Sequence, residues 1–432
     1  MSDLGESPLF AGERHLSVDE ARAAIAAALV PIEGTVTVPL AAALGRVLAA
    51  DVVSPIDVPA HDNSAMDGYA FDGVALAAGG NVELRCVGTL LAGAPYGGQV
   101  AAGECLRIMT GAVMPAGLDT VVPGELVRIE AAAGGDRVHI APGTIRAGEH
   151  RRRRGEDLAA GKPALRAGRR LRPADLGLIA SLGFEQVTVR RALRVALFST
   201  GDEIRAPGQP LPPGCVYDSN RASLAGALER LGAQVVDLGL VRDDPAALAA
   251  TLAQAVRSAD VVLTSGGVSM GEADHVRHTL ARLGEVAFWK VAMRPGRPFA
   301  FGPLRREGDA QRAPCWLFAL PGNPVAALVS FYAFARDALL QLAGAEPMPL
   351  PLLQARCTSA IRKRPGRTEF QRGIVERGPH DGAGWQVRLT GAQGAGILRS
   401  MSEANCLVVL HHAQGAVAAG DPVDLWLFDG LV

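Results

Sequence analysis

The sequence predicts an α/β multidomain protein, with a doubly wound, mainly parallel α/β domain, an inserted mostly-β domain, an N-terminal helical and extended domain, and a C-terminal β barrel. Three patterns predict this class. Strand and helix signatures alternate from about residue 192, Gly- and Pro-rich turns separate short β-branched runs before residue 157, and a further series of short strands follows residue 346. The length of 432 residues agrees with several domains, because single cores stop growing at about 250–300 residues.

The N-terminal segment begins with a helix signature. Ser17 and Glu20 form a capping box, and the helix ARAAIAAALV is expected to continue until Pro31 stops it. The following stretch PLAAALGRVLAADVV predicts another short helix that runs into an extended segment. Much later, LRPADLGLIASLGFEQVTV again predicts a helix followed by a strand.

The region between these helical segments reads as an insertion. Short runs such as ECLRIMTGA, DTVVPGELVRIE and DRVHIAPG alternate there with turn signals, a pattern typical of a small β domain. We therefore expect residues 1–54 and 158–190 to form one discontinuous domain. Residues 55–157 form the inserted domain.

Residues 191–345 carry the signature of a doubly wound domain. Strands LRVALFST, AQVVDLGLV, ADVVLTSGG, VAFWKVA and CWLFAL are predicted, and helices follow most of them. The caps expected are Ser219 or Asn220 for one helix, and Asp244 with Pro245 at the first helical position for the next. Asn323 and Pro324 open the last helix.

A stiff linker, EPMPLPLL, precedes the C-terminal domain of residues 346–432. The short alternating runs QARCTSAIRK, EFQRGIVER, WQVRLTG, CLVVLHH and DPVDLWLF then predict a small β barrel.

Composition excludes several classes of function. The 43 basic and 44 acidic residues give a net charge of −1, so a nucleic-acid binder is not expected. The six cysteines contain no C-x-x-C pair, which argues against a zinc ribbon or a disulfide framework. The N-terminus reads as no export signal, and PGNP interrupts the uncharged stretch Pro314 to Ala335, so no membrane association and a cytoplasmic location are expected.

Polar loops follow four of the predicted parallel strands, at the edge where doubly wound sheets bind ligands. These loops are STGDE, RDD, TSGGVSMGEAD and LPGNP. Glu203, Asp243 and Asp274 lie on three of them. Clustered carboxylates repel unless a cation neutralises them, which predicts Mg²⁺ bridging phosphates. The alternative is that Asp243 and Asp274 only cap helices.

Seven motifs occur in the order found in one family: DNSAMDGYA, RIMTGA, RRRGED, FSTGDE, TSGGVSMGEAD, LPGNP and PGRTEFQRG. On these residues the chain resembles the molybdopterin molybdenumtransferases, the MoeA family, to which the gephyrin E domain is similar. The resemblance covers nearly the whole chain. It implies four subdomains, among which residues 1–54 and 158–190 form the dimerisation domain and the doubly wound, MogA-like domain binds molybdopterin. It also implies an elongated homodimer, whose active cleft lies between the doubly wound domain of one subunit and the inserted β domain of the other.

The resemblance also implies a reaction and its partners. Adenylylated molybdopterin and molybdate would yield molybdenum cofactor and AMP, with Mg²⁺ as the metal. Transient contact with the molybdopterin adenylyltransferase and with molybdoenzymes is implied as well. Two other functions stay open, a molybdopterin adenylyltransferase and a gephyrin-like scaffold. The inserted domain and β tail argue against the first, and the retained Asp67 and Asp274 argue against the second.

Roles carry over motif by motif. The resemblance implies Asp67 and Asp274 as principal catalytic carboxylates, with Thr110 and Asp157 in support. Glu203, Asp243 and Asp274 are implied as the metal side. The implied substrate-binding residues are Ser199, Thr200, Gly201, Ser265, Gly266, Gly267, Ser269, Gly271, Pro321, Gly322, Asn323, Arg294, Arg297 and Arg367.

Molybdate oxygen must receive protons to leave as water, and a protonated Asp67 is our hypothesis for the donor, provided that nearby acids raise its pKa. The chain departs from the family at two places. Arg294 and Arg297 stand where lysine is common, and Ala395 and Gly396 replace polar residues, so contacts from the C-terminal domain are not expected to match the family's.

Overall fold

The computed structural model describes residues 13–266, 283–306, 313–379 and 384–432. The chain divides into two compact units. Unit 1 comprises Met1–Ala49, Gly168–Arg172 and Gln186–Val432, and unit 2 comprises Ala50–Ala167 and Pro173–Glu185. The four domain boundaries given above remain predictions.

The centre of unit 1 is a seven-stranded sheet. In spatial order its strands are Glu13–Leu16, Ala287–Val291, Pro298–Leu304, Cys315–Leu320, Val261–Ser265, Arg194–Thr200 and Gln234–Val241. Pro298–Leu304 runs antiparallel to both neighbours, and every other pairing is parallel. The mainly parallel sheet predicted from the sequence is therefore confirmed.

Both faces of this sheet are covered. Along the strand Arg194–Thr200, Leu197 belongs to one buried cluster, whereas Ala196 and Phe198 belong to another. This alternation is the doubly wound arrangement, because successive side chains of a strand point to opposite faces. Among the described residues of unit 1 the α-helices are Val18–Ala28, Ser219–Arg230, Pro245–Ser258, Pro324–Ser330, Arg336–Leu342 and Leu398–Glu403, and Phe331–Ala335 forms a π-helical turn.

Two of the predicted side-chain caps are confirmed, and the helix Pro324–Ser330 begins directly after Asn323, as predicted. Ser17 and Glu20 form the capping box of the first helix, with the Ser17 amide 2.7 Å from Glu20 Oε2. Asp244 caps Pro245–Ser258 by accepting from the Ala247 amide at 2.8 Å. The first helix ends at Ala28, three residues before Pro31.

The cap predicted for Ser219–Arg230 is wrong. Asp218 caps this helix and accepts from the Arg221 amide at 3.1 Å, so Ser219 and Asn220 lie inside the helix. Asp is as strong a cap as Ser or Asn, and the sequence DSN offered all three in succession.

The second N-terminal helix is also wrong. Leu40–Ala42 forms only a 3₁₀ turn, and a turn at Gly45 with φ of +74° follows it. The chain then pairs as extended backbone, with the Leu48 amide bonded to Arg169 O at 2.9 Å. Tertiary pairing overrides the helical propensity of the Ala- and Leu-rich sequence.

Arg22 contacts the π-helical turn Phe331–Ala335. Arg22 Nε donates to Ala333 O at 2.8 Å, and the guanidinium lies 5.0 Å from the centre of the Trp426 ring.

The helical segment Pro324–Leu342 is long and apolar enough to cross a membrane by length and composition alone, and 78% of its apolar window is buried inside the structure. Burial of this kind is typical of a core helix.

The C-terminal strands close into a barrel, as predicted. In spatial order they are Thr368–Arg377, Trp385–Leu389, Leu353–Cys357, Pro422–Leu427 and Cys406–Leu410, and the last pairs with the first. The two-residue strand Met293–Arg294 adds to Thr368–Arg377 from outside. Short ribbons complete unit 1: Thr35–Pro39 with Gln186–Arg190, and Ile204–Arg205 with Val216–Tyr217.

Unit 2 is mostly β, which confirms the β character predicted for the insertion. Its sheet contains, in spatial order, Thr120–Pro123, Gly68–Phe71, Glu104–Ile108, Val82–Leu90, Arg137–Ile140 and Arg128–Glu130. Two ribbons pair Asn63–Ser64 with Arg151–Arg152, and Val52–Val53 with Pro163–Leu165. The helix Pro173–Ser181 lies where the sequence predicts one.

Candidate functional site

Neighbouring parallel strands of unit 1 bring their following loops to one edge. The loop after Arg194–Thr200 meets the loop after Gln234–Val241 through two reciprocal bonds. The Asp202 amide donates to Asp243 Oδ2 at 3.3 Å, and the Asp243 amide donates to Asp202 Oδ1 at 3.4 Å. The predicted convergence of these two loops is therefore observed.

The donors for a metal ion fit in kind. Glu203 is exposed, and its Oε2 lies only 2.8 Å from where a Cβ on Gly201 would stand, so the carboxylate folds back over the loop. Like Asp202 and Asp243 it carries carboxylate oxygens, the kind of ligand that Mg²⁺ takes, usually one or two carboxylates beside waters and phosphates. Within the described ranges no group of three His, Cys, Asp or Glu residues could hold a metal ion, and Asp274 lies outside them. Magnesium stays a prediction.

Ser199 lies at the end of its strand and is fully buried. Its Oγ donates to Asp218 Oδ1 at 3.0 Å, the same carboxylate that caps the helix Ser219–Arg230. The hydroxyl therefore holds the helix start against the strand. The whole residue is buried, and the substrate contact predicted for Ser199 stays a prediction.

Asn220 joins two further loops. Its Nδ2 donates to Ser265 Oγ and to Gly322 O, both at 2.7 Å, and Ser265 Oγ donates in turn to Pro321 O at 3.3 Å. Asn220 is 8% exposed and Ser265 is 2% exposed. The loops after Val261–Ser265 and Cys315–Leu320 are thus tied together by a buried amide, which sequence reasoning did not assign.

Gly266 opens the glycine-rich loop at a point where only glycine fits. Its φ is +93°, and a Cβ would stand 2.5 Å from Thr200 O and 2.9 Å from Thr200 Oγ1. Its amide donates to Leu320 O at 3.1 Å. Three loops therefore approach closely here. Gly267, Ser269 and Gly271 lie outside the described residues.

The C-terminal region reaches the start of the helix Pro324–Ser330. The Val325 amide donates to Ala395 O at 3.0 Å, and the nearest atom to a Cβ on Gly396 would be Asn323 Oδ1 at 3.9 Å. Ala395 and Gly396 lack polar side chains, but this contact does not need one because it is made by the backbone oxygen of Ala395. The C-terminal domain therefore borders the LPGNP loop.

Cationic side chains gather beside the barrel. Arg294 is exposed and pairs in register with Glu369, and Arg367 Nε donates to Glu369 Oε1 at 2.8 Å. Arg297 is exposed on the same segment. Arg372 is fully buried, and its guanidinium donates only to neutral acceptors among the bonds seen, including Ser400 Oγ at 2.9 Å.

The pKa of Arg372 is lowered to about 10, first by burial and then by the charge of Arg294. This region is therefore electropositive, which suits an anionic ligand. Sequence analysis missed Arg372, although a charged residue at an inward position of the strand Thr368–Arg377 was the available signal.

In unit 2, antiparallel pairing brings Asp67 and Thr110 together. Asp67 precedes the strand Gly68–Phe71, and Thr110 follows the paired strand Glu104–Ile108. Asp67 Oδ1 accepts from the Thr110 amide at 2.7 Å and from Thr110 Oγ1 at 2.6 Å. A Cβ on Gly68 would stand 2.0 Å from Val122 O, so only glycine can follow Asp67 at this point.

The surroundings of Asp67 lower its pKa, whereas the proton-donor hypothesis requires a raised pKa. The Thr110 hydroxyl, the Thr110 amide and the charge of Arg107 lower the pKa of Asp67, because each stabilises the ionised form. The neighbouring acids that the hypothesis required do not appear among these causes. Asp67 is therefore an exposed carboxyl group with a lowered pKa, which is opposite to the condition that the hypothesis sets; Asp274 lies outside the described residues, and the proton-donor role stays a prediction.

The third motif of unit 2 lies beside the first. Arg151–Arg152 pairs with Asn63–Ser64, and Asp62 Oδ1 accepts from the Arg154 amide at 2.8 Å. Asp157 is exposed, with its amide bonded to Val58 O at 3.0 Å. The motifs DNSAMDGYA, RIMTGA and RRRGED are thus neighbours within unit 2.

Known protein families match consecutive parts of the chain. Residues 16–183 match the MoeA N-terminal region (domain I and II), residues 196–341 match a probable molybdopterin binding domain, and residues 354–428 match the MoeA C-terminal region (domain IV).

Relatives of similar length are known. A Haemophilus influenzae protein named molybdopterin molybdenumtransferase is 38% identical over 427 residues, which cover 96% of this chain and 100% of that protein. Molybdopterin molybdenumtransferase 2 of Mycobacterium tuberculosis is 37% identical over 401 residues, which cover 90% and 94% respectively. The crystal structure of the molybdopterin biosynthesis MoeA protein of Pyrococcus horikoshii matches with a TM-score of 0.80 at 27% identity, covering 96% of this chain and 100% of that one.

Proposed function

Because the chain belongs to the molybdopterin molybdenumtransferase (MoeA) family of molybdenum cofactor biosynthesis, we propose that it inserts molybdenum into adenylylated molybdopterin, using molybdate and releasing AMP. The observation that carries the proposal is the convergence of loops at the carboxyl edge of the unit 1 sheet. Asp202 and Asp243 join one pair of loops, and Asn220 joins another. Ligands of doubly wound sheets bind at this edge.

The substrates are anions, and the chemistry of the edge supports their binding. The glycine-rich loop that Gly266 opens and the LPGNP loop both follow strands at this edge, which is where doubly wound sheets bind phosphate-bearing ligands. Arg294 and Arg297 are exposed cations on a neighbouring segment. A guanidinium donates in a fixed fork, which matches both phosphate and a tetrahedral oxyanion such as molybdate.

The proposed role of Asp67 is that of an ionised carboxylate. Two bonds from Thr110 fix its Oδ1, which leaves Oδ2 to accept a hydrogen bond from substrate or from an attacking water. Transfer of a water proton to Asp67 would then accompany cleavage of the phosphate–phosphate linkage, with AMP as the leaving group. We propose Asp274 as the second catalytic carboxylate and Asp157 as a supporting one.

We further propose that Mg²⁺ is held by Glu203 and Asp243, with Asp274 as a third ligand. When bound, the ion would neutralise charge on the phosphate oxygens. The support for this proposal is that the reciprocal Asp202 and Asp243 bonds hold together the two loops that carry Glu203 and Asp243.

The assembly and location are also proposals. We propose a homodimer in the cytoplasm, with transient contacts to the molybdopterin adenylyltransferase and to molybdoenzymes. Family resemblance is the support for each. Sedimentation at micromolar concentration tests the dimer, and a monomeric mass would contradict it.

The deciding experiment gives the purified chain adenylylated molybdopterin, with and without molybdate, and follows AMP and metal-bound pterin. We expect both products, with the metallated pterin only when molybdate is present. Formation of adenylylated molybdopterin from molybdopterin and ATP would instead identify the adenylyltransferase alternative. If the chain catalyses neither reaction, the scaffold alternative remains. Formation of adenylylated molybdopterin and the absence of both reactions would each overturn the proposal.

A further inference from the structure

Asn220 lies where three elements of unit 1 meet, and nothing in the proposed reaction gives it a role. It is on the helix Ser219–Arg230, one residue after the helix begins. Its amide reaches past its own helix to Ser265, at the end of one strand, and to Gly322, in the loop after the next. A residue that only capped its helix would bond to helix amides, and Asp218 already does so.

Both hydrogen bonds donated by the Asn220 side-chain amide are hard to replace. The Nδ2 group uses both of its protons, one on Ser265 Oγ and one on Gly322 O, each at 2.7 Å. The accepting Ser265 hydroxyl passes the link on to Pro321 O. Because each of these three hydrogen bonds is buried or half-buried, water cannot readily replace the Asn220 donor once it is lost.

The junction lies directly before the glycine-rich loop in the sequence. Gly266 directly follows Ser265, and its amide is bonded to Leu320 O, one residue before Pro321. Asn220 Oδ1 is buried and has no partner among the described residues. The amide is thus held at this place by its donor side alone, which is unusual because buried polar groups are normally satisfied on both sides.

We infer that Asn220 is a positioning residue for substrate binding, which sets the separation between the glycine-rich loop and the LPGNP loop. This inference rests on the proposed function for its catalytic consequence, and on the geometry alone for its structural one. Asn220 does not touch the reacting atoms. It acts through Ser265 and Gly322.

The test replaces the amide by an isosteric carboxylate, Asn220→Asp, which turns the donor into an acceptor facing Gly322 O. Amide hydrogen exchange at Gly266 should become about tenfold faster, because the loop junction opens. The KM for adenylylated molybdopterin should rise about tenfold while kcat changes less than about threefold, which is the pattern of lost uniform binding. Asn220→Ser, which is neutral and shorter, gives the same readouts should the carboxylate prevent folding.

Asn405→Asp is the matched control. Asn405 Nδ2 donates to Val375 O at 2.9 Å inside the barrel region, so the same substitution removes the same kind of bond elsewhere. We expect Asn405→Asp to lower the Tm but to leave KM and Gly266 exchange unchanged. Unchanged Gly266 exchange in both Asn220 variants would overturn the inference, as would equal KM shifts in the Asn220 and Asn405 variants. If the wild-type chain releases no AMP, the proposed function fails, and hydrogen exchange still decides the positioning role.

Discussion

Gly266→Ala is the substitution whose cost follows most directly from the geometry. The added methyl group would stand 2.5 Å from Thr200 O and 2.9 Å from Thr200 Oγ1, and the backbone φ is +93°. The first of these contacts is to backbone, which cannot rotate away as a flexible side chain could. Either the glycine-rich loop or the end of the strand Arg194–Thr200 must move.

The expected loss of stability has two parts. An L-residue at positive φ costs about 1–2 kcal/mol, and overpacking against a fixed neighbour adds about 1–3 kcal/mol. The sum is about 2–5 kcal/mol. Gly420→Ala separates the two parts, because Gly420 has φ of +90° and nothing within 4 Å of its Cβ position. That variant should lose only the first part.

Urea unfolding of both variants at 25 °C measures the difference. We expect Gly266→Ala to be destabilised by at least about 1 kcal/mol more than Gly420→Ala. Release of AMP should fall in Gly266→Ala and stay near the wild-type rate in Gly420→Ala. Equal stabilities would show that the loop does not approach Thr200 as described, and would refute the packing of this edge.

Four other outcomes follow from the structure. Asp67→Asn should retain pterin binding and lose molybdenum insertion, and retained insertion would exclude Asp67 from catalysis. Thr110→Val removes the largest influence that lowers the Asp67 pKa, so the acid limb of the pH–rate profile should move to higher pH, whereas Thr110→Ser should leave it in place. Asp260→Asn should destabilise the fold by about 2–3 kcal/mol at pH 7, which is below the about 3–5 kcal/mol of a fully buried pair because the Arg191 side chain is 35% exposed. Since the folded-state pKa of Asp260 is lowered, this loss of stability should shrink as the pH falls through that pKa. A loss that does not depend on pH in urea unfolding would contradict the prediction. Chelation by EDTA should slow AMP release and added Mg²⁺ should restore it, so an unaffected rate would remove magnesium from the proposal.

Local sequence signals predicted much of the fold. The capping box at Ser17 and the Asp244–Pro245 start need only neighbouring residues, and both are confirmed. The strand Pro298–Leu304 was missed because its Pro and Gly residues suggest a loop, yet it lies between two paired strands. The helix predicted after Pro39 is wrong because backbone pairing with residues distant in the sequence overrides its local helical propensity.

The site was predictable in its motifs and less so in its contacts. Strand order explains why Asp243 meets a neighbouring loop, and that follows from topology. The partner Asp202 and the buried amide of Asn220 depend on side-chain directions that periodicity does not encode. The charge state of Asp67 depends on Thr110, 43 residues away in sequence, so it could be assigned only once the two strands were paired.

The most direct test of the account is the molybdate dependence of product formation by the wild-type chain. Quantitative chromatography of AMP, combined with metal analysis of the pterin, gives the ratio of AMP released to molybdenum inserted. One AMP for each molybdenum atom, with no metallated pterin when molybdate is withheld, is the predicted result. Adenylylated molybdopterin recovered intact after incubation with molybdate would contradict the account.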